Sequence, residues 1–178
     1  MSTQRIAPGG FRELGLVNWI VCRAIARVSG VAEAHLFTTL GRQRGLFRGW
    51  LAFASRLMPG GALSRRETEL VILRVSHLRD CTYERDHHTR IGARAGLDSA
   101  ALARVAEGPA AQGWTDRERA LIEGTDALVE DGDLDDAVWH RLRGHYAEAE
   151  LVELCLLVGH YDMLATTIAA LRIERDFR

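Results

Sequence analysis

SRRETELVILRVSHLRDCTYERDHHTRIGARAG, residues 64–96, is the stretch that decides the fold class. It opens on a capping box. The Ser64 hydroxyl can accept the backbone N–H three residues on, and Glu67 can reach back to the cap. The helix it starts carries Leu70, Val71, Ile72, Leu73 and Val75, apolar on nearly every side, and a helix of that kind is buried. Asp80 is placed to cap a second helix, Cys81 to Ala95, which Gly96 closes in the C′ position. Strand signals are almost absent on either side. No long stretch alternates apolar and polar residues, and no Asn-Gly or Asp-Gly pair sits between β-branched runs.

Downstream, Asp98 caps a short helix to about Glu107, and Gly108-Pro109 stops it. A second capping box, Thr115-Asp116-Arg117-Glu118, opens a helix to about Glu130. Asp131-Gly132-Asp133 is a turn, and Asp135 caps a helix through Arg143. The last helix runs from about Ala147 to Leu171, apolar throughout its middle, Leu154 to Val158. Upstream, Met58-Pro59-Gly60-Gly61 is the clearest break in the chain. Before it, Phe11–Ser29, Glu33–Leu40 and Leu46–Leu57 read as helices, punctuated by Gly30, Gly41 and Gly45. Trp19, Phe37, Phe47, Trp50 and Phe53 recur there at helical spacing, as core or subunit interface. The expectation is an all-α protein: an N-terminal helical layer, residues 1–60, packed on a helical core, residues 61–178, as one compact unit.

Composition narrows the function. The 178 residues suit one domain with a real core. Hydrophobic residues at 47% and charged residues at 26% are ordinary for a globular protein. A formal net charge of -1 offers no footprint for nucleic acid or an anionic membrane. All 23 basic residues are Arg, so lysine Schiff bases, covalent pyridoxal phosphate and a phosphate-loop lysine are excluded. Cys22, Cys81 and Cys155 are far apart, odd in number and form no CxxC pair, which argues against a disulfide framework or a cysteine zinc site. Leu14 to Val28 is broken by Asn18, Arg23 and Arg27, too short and too charged to span a membrane, and no signal peptide is evident. A cytoplasmic protein is expected.

The chemistry concentrates in Cys81-Thr82-Tyr83-Glu84-Arg85-Asp86-His87-His88. At 100° per residue, positions 81, 84 and 88 fall within about 60° of one another, so a thiol, a carboxylate and an imidazole share one stripe. Unpaired N–H groups and the helix dipole would favour a thiolate at Cys81. Glu84, one turn from His88, could fix its tautomer and raise its basicity. The plainer readings are a solvated Glu–His face and an inert small cysteine. Glu69 leads into a helix apolar all round, so its carboxylate is expected to be partly buried. Tyr83 reads more simply as packing. His87 completes Glu84-x-x-His87, half of a di-iron motif whose second half is missing, so no metal site is expected. His160 either lines the same pocket or is a satisfied core histidine.

Residues 64–96 resemble the core motif of the carboxymuconolactone decarboxylase and alkylhydroperoxidase D family. The resemblance rests on Arg66, Glu69, Leu73-Arg74-Val75, Cys81-x-x-Glu84-x-x-x-His88 and Gly96-Leu97. It continues more weakly through Thr115–Glu118, Trp139 and the Glu150–Tyr161 stretch. The peroxidase branch carries Glu, then Cys-x-x-Cys-x-x-x-His, and its two thiols cycle to a disulfide while Glu and His relay protons. Here the corresponding residues are Glu69, Cys81, Glu84 and His88, so the second thiol is a carboxylate. The resemblance implies an alkylhydroperoxidase-D-like helical bundle, a homo-oligomer (trimer or hexamer), a small-molecule substrate and no cofactor. The form present here is more similar to the decarboxylase side. That implies cofactor-independent acid–base chemistry on a small organic acid or lactone, with Glu69, Glu84 and His88 carrying protons. Arg74 or Arg85 would hold a substrate carboxylate, and Tyr83, His87 and His160 would line its site. The alternatives are thiol-dependent hydroperoxide reduction through Cys81 alone, and a non-catalytic helical oligomer that binds a small molecule.

Overall fold

A computed structural model describes residues 4–177. Every regular element among them is a helix: α1 (Phe11–Ser29), α2 (His35–Leu40), α3 (Arg44–Leu57), α4 (Arg65–Leu78), α5 (Thr82–Arg94), α6 (Ser99–Glu107), α7 (Asp116–Glu130), α8 (Asp136–Arg143) and α9 (Glu148–Leu171). The all-α class is as the sequence predicts. The caps explain the boundaries. Ser64 and Thr115 form the two capping boxes, and Asp98 and Asp135 accept from the N–H groups of Ala101 and Val138. The cap of α5 differs from expectation. Asp80 sits at φ 47, in the left-handed region, and reverses the chain, so the N-cap is Cys81 itself.

The chain forms two units. The first runs to Arg56 and takes back the chain from Thr167; the second is Leu57–Thr166. The sequence places the N-terminal boundary close by, but extends the core to residue 178. The return has visible ties within the first unit. Arg5 N–H donates to the Leu171 carbonyl at 3.0 Å, and the Asp176 carboxylate accepts from His35 N–H at 3.0 Å.

In the first unit, Leu14, Cys22 and Phe47 form a buried cluster, with Phe37 and Trp50 packed against it. Phe47 is thus core, whereas Trp19 and Phe53 are exposed at 38% and 40%, so the aromatic spacing does not put all five inside. The sequence reads α1 as unbroken. Gly15, at φ 71, interrupts it, and the Arg44 guanidinium donates to the carbonyls of Arg12 and Glu13 just before the break.

The second unit is built around α4. Ten consecutive residues, Glu67 to Ser76, are buried, because α5, α6 and α7 cover it on different sides. Most of α9 also belongs here. By length and composition α9 is apolar enough to cross a membrane, but its Leu154, Leu157, Val158 and Leu164 are core residues of this unit. Its Glu153 carboxylate accepts from the N–H groups of Ala62 and Leu63 at the entry to α4.

Candidate functional site

Three helices of the second unit deliver the site. From α4, Glu69 is fully buried. From α5 come Glu84 and His88, each 4% exposed, one turn apart as the sequence stripe requires. From α9 comes Tyr161, whose ring stands edge-on to His88 at 5.2 Å and 90°. His88 Nδ1 lies 2.7 Å from Glu69 Oε2, and His88 Nε2 lies 3.4 Å from Glu84 Oε2. Arg65 Nη2 donates to the other Glu69 oxygen, Oε1, at 2.9 Å. The result is a row of alternating charge: Arg65, Glu69, His88, Glu84. Alternation makes the burial tolerable, since an unpaired ion in such surroundings costs several kcal/mol.

The row sets the charge of His88. Burial works against the imidazolium, but the hydrogen bonds and charges of Glu69 and Glu84 outweigh it, and His88 is pushed up to about 9. At neutral pH it therefore carries a proton. Its folded pKa lies above the ordinary 6.5, so the stabilisation is complete below that value and is lost as the pH climbs through about 9. Urea denaturation is expected to show a decline on the order of 3 kcal/mol between pH 6.5 and alkaline conditions, on the scale of 1.36 kcal/mol per pKa unit. The His88→Gln variant should lack this decline. An identical profile in the variant would mean that His88 is neutral in the folded protein.

Cys81 is 6% exposed. Burial pushes its thiol up to about 11; the Glu84 carboxylate adds to the rise, while the N–H groups of Glu84 and Tyr83 and the charge of Arg85 pull the other way. The helix start was expected to favour a thiolate. Desolvation outweighs the helix end, and the resting species at neutral pH is a thiol. Ionising it takes a base. Glu84 Oε2 faces His88, and Glu84 Oε1 is buried with no hydrogen-bond partner. This orphaned oxygen belongs to the carboxylate whose charge the thiol feels.

Arg74 does not join the row. Its Nε and Nη2 grip both oxygens of Asp126 at 2.6 and 2.8 Å, and Nη1 donates to the carbonyls of Val105 and Ala106. A Cβ on Gly108, at φ 95, would come within 2.7 Å of the same guanidinium, so the glycine makes room for it. The group that sequence spacing offers for a substrate carboxylate is instead a lock tying α4 to α6 and α7. Arg74→Met is expected to lower stability by about 3–5 kcal/mol, because it leaves Asp126 without its cation. The rate of Cys81 alkylation in the folded variant should not change. A marked change in that rate would place Arg74 in the site after all. Arg85 is bonded to Asp80 and Thr82 at 3.3 and 3.2 Å.

Tyr83 is buried and its ring lies 4.9 Å from that of His87, on a different side of α5 from the 81–84–88 stripe. His160 is buried beside Tyr161, their rings 5.2 Å apart. Burial lowers its pKa and the Glu84 charge opposes the fall, so His160 is neutral at pH 7 and within electrostatic reach of the site. Two residues of the cluster carry no strong signal in the sequence. Arg65 stands four residues before Glu69, a spacing that pairs on any helix. Tyr161 lies in a run that reads as core. Among the described residues, no three His, Cys, Asp or Glu side chains are arranged to hold a metal ion. Of the other thiols, Cys155 is exposed on α9 and Cys22 is buried in the first unit; all three cysteines are free.

Residues 44–127 match the model of the carboxymuconolactone decarboxylase family. Among curated proteins none matches significantly. The fold is similar to that of an uncharacterised peroxidase-related protein from Ralstonia eutropha with an alkylhydroperoxidase AhpD core, at TM-score 0.85 and 16% identity over 99% of this chain and 94% of that one. It is also similar to a cysteine-to-alanine variant of the debrominase Bmp8 in complex with 2,3,4-tribromopyrrole, at TM-score 0.82 and 16% identity over 99% and 94%. An uncharacterised peroxidase-related protein from a Silicibacter species gives TM-score 0.80 and 14% identity over 98% and 94%. At these identities the likeness is one of fold.

Proposed function

This chain belongs to the AhpD/carboxymuconolactone decarboxylase superfamily, and from that premise we propose that it is an enzyme that reduces hydroperoxides through the single thiol of Cys81, with Glu84 as base. The observation that carries the reading is the buried, unpartnered Oε1 of Glu84, on a carboxylate whose charge acts on the buried Cys81 thiol. Glu84 takes the proton from Sγ as the sulfur attacks the terminal oxygen of R–O–O–H. The O–O bond breaks, and the leaving alkoxide takes the proton back from Glu84. The products are Cys81 sulfenic acid and ROH. Glu84 occupies the place of a second thiol, so recovery uses an external thiol. One thiol condenses with the sulfenic acid, releasing water, and a second releases Cys81 and leaves as the disulfide. Such thiols are kept reduced in the cytoplasm, the compartment the sequence suggests. The fold neighbour seen as a cysteine-to-alanine variant in complex with a brominated pyrrole is in keeping with a thiol that meets an electrophile.

The test is to add cumene hydroperoxide to the reduced protein, trap sulfenic acid with dimedone and locate it by mass spectrometry. A stoichiometric adduct at Cys81, prevented by Glu84→Gln, supports the reading; an unmodified Cys81 overturns it. A second reading has an observation of its own. The Glu69–His88–Glu84 chain is a complete proton carrier without the thiol, and a charged His88 could protonate the carbanion left when a small acid loses carbon dioxide. That activity would survive Cys81→Ser and disappear in Glu84→Gln. A homo-oligomer is also part of the proposal. Leu16, Val17 and Ile20 are exposed at 60%, 55% and 52% on α1, an apolar surface that a second copy of the chain could cover.

A further inference from the structure

We infer that the first unit carries a small-molecule site of its own, a cavity that seats a free aliphatic amino acid, its side chain on an apolar floor and its two charged groups between Arg23 and Glu33. The cavity measures about 180 Å³ and is walled by α1, the two glycines that precede it and the segment leading into α2. Every residue around it precedes residue 44, where the match to the carboxymuconolactone decarboxylase family begins, so the family motif does not account for it. All of them belong to the first unit, and the inference stands whatever Cys81 does.

The floor is apolar. Leu14, Cys22, Ala26 and Ala34 line the cavity and are buried, and Trp19 adds an indole to the wall. An apolar cavity of about 150 Å³ takes up benzene, because a void leaves its lining without contacts that a ligand restores. The space here therefore has room for a branched aliphatic side chain.

The rim is charged. Arg23 is exposed and Glu33 half-buried, and both line the same cavity. Among the described residues neither forms an ion pair, with the other or with a third side chain. The Glu33 charge reaches the floor: burial pushes the Cys22 thiol up to about 11, and the carboxylate adds to the rise.

Two opposite charges on one cavity wall discriminate between ligand classes. A simple amine gains at Glu33 and is repelled at Arg23, and a simple carboxylate meets the reverse. A molecule with an ammonium and a carboxylate on one carbon gains at both, since each rim charge then has an opposite partner. An α-amino acid has that arrangement, with its side chain pointing away from the charges toward the floor.

The experiment is calorimetry on the full chain with three matched ligands: L-leucine, 3-methylbutylamine, which lacks the carboxylate, and 4-methylpentanoate, which lacks the ammonium. Leucine is expected to bind about tenfold tighter than either, one charged hydrogen bond apiece. Glu33→Gln should erase the advantage over 4-methylpentanoate and keep that over the amine; Arg23→Gln should do the opposite. Both variants should melt like the wild type, since neither residue has a partner to lose. If the two residues only shape the wall, each substitution weakens all three ligands equally, which overturns the inference. So does the absence of leucine binding up to about 10 mM. The position of the ligand is read from the thiols. Leucine should slow alkylation of Cys22 by N-ethylmaleimide several-fold, located by mass spectrometry, and leave the exposed Cys155 unaffected. Binding without protection of Cys22 would put the amino acid elsewhere and reject the cavity as its site.

Discussion

Cys81→Ser is expected to consume hydroperoxide no faster than buffer, while melting within a degree or two of the wild type. The loss should be complete because no other group in the cluster can accept an oxygen atom. Glu69, Glu84, His88 and Tyr161 move protons, and the remaining thiols lie elsewhere: Cys155 on the exposed side of α9 and Cys22 in the first unit. The fold should tolerate the change, since a serine hydroxyl at the N-cap of α5 is a better cap than a thiol. The partner experiment gives the base. Glu84→Gln removes a carboxylate whose charge raises the thiol, so the Cys81 pKa should fall. If Glu84 acts only through that charge, the variant reacts faster with peroxide than the wild type. If Glu84 is the base, it reacts more slowly despite the lower pKa. Initial rates of peroxide loss, set beside the pH profile of iodoacetamide alkylation, separate the two.

His88→Leu should be among the most damaging substitutions in the second unit, costing about 3–5 kcal/mol. The leucine fills the space but removes the cation between two buried carboxylates, Glu69 at 0% and Glu84 at 4% exposure. Arg65 continues to hold Glu69, so the greater penalty falls on Glu84, which would have no cation in contact. Adding Glu84→Gln to His88→Leu should recover part of the loss, a coupling that a double-mutant cycle measures. Additive losses would show that Glu84 is solvated and that the row ends at His88.

What could be read in the chain divides along a physical line. Helix starts depend on a few neighbouring residues, so the capping boxes at Ser64 and Thr115 and the caps at Asp98 and Asp135 appear where the sequence puts them. The exception is Asp80, displaced by one residue because a left-handed turn there makes Cys81 the cap. Alignment of Glu84 and His88 on one stripe is also local, a consequence of 3.6 residues per turn acting within a single helix, with Cys81 at its cap. So is the burial of the apolar run Leu70 to Leu73 in α4, whereas the burial of Glu67, Glu69 and Arg74 on the same helix depends on partners from other elements.

The tertiary structure decides everything that joins one helix to another. Glu69 and His88 are 19 residues apart, and only the packing of α4 on α5 brings them to 2.7 Å. Arg74 and Arg65 are both arginines of α4, equally available in the sequence. The position of Asp126 on α7 turns one into a structural lock and leaves the other with a free edge at the site. The charge states are decided there too. The same helix start that favours a thiolate in the sequence holds a neutral thiol in the fold, since desolvation depends on what surrounds Cys81 from other elements. The sequence by itself determined the helices, their ends and the stripe of reactive residues, because those obey interactions a few residues long. Which partners meet that stripe, and which of its groups carry charge, depends on distances and burial between elements remote in the chain, and these exist only once the helices have packed.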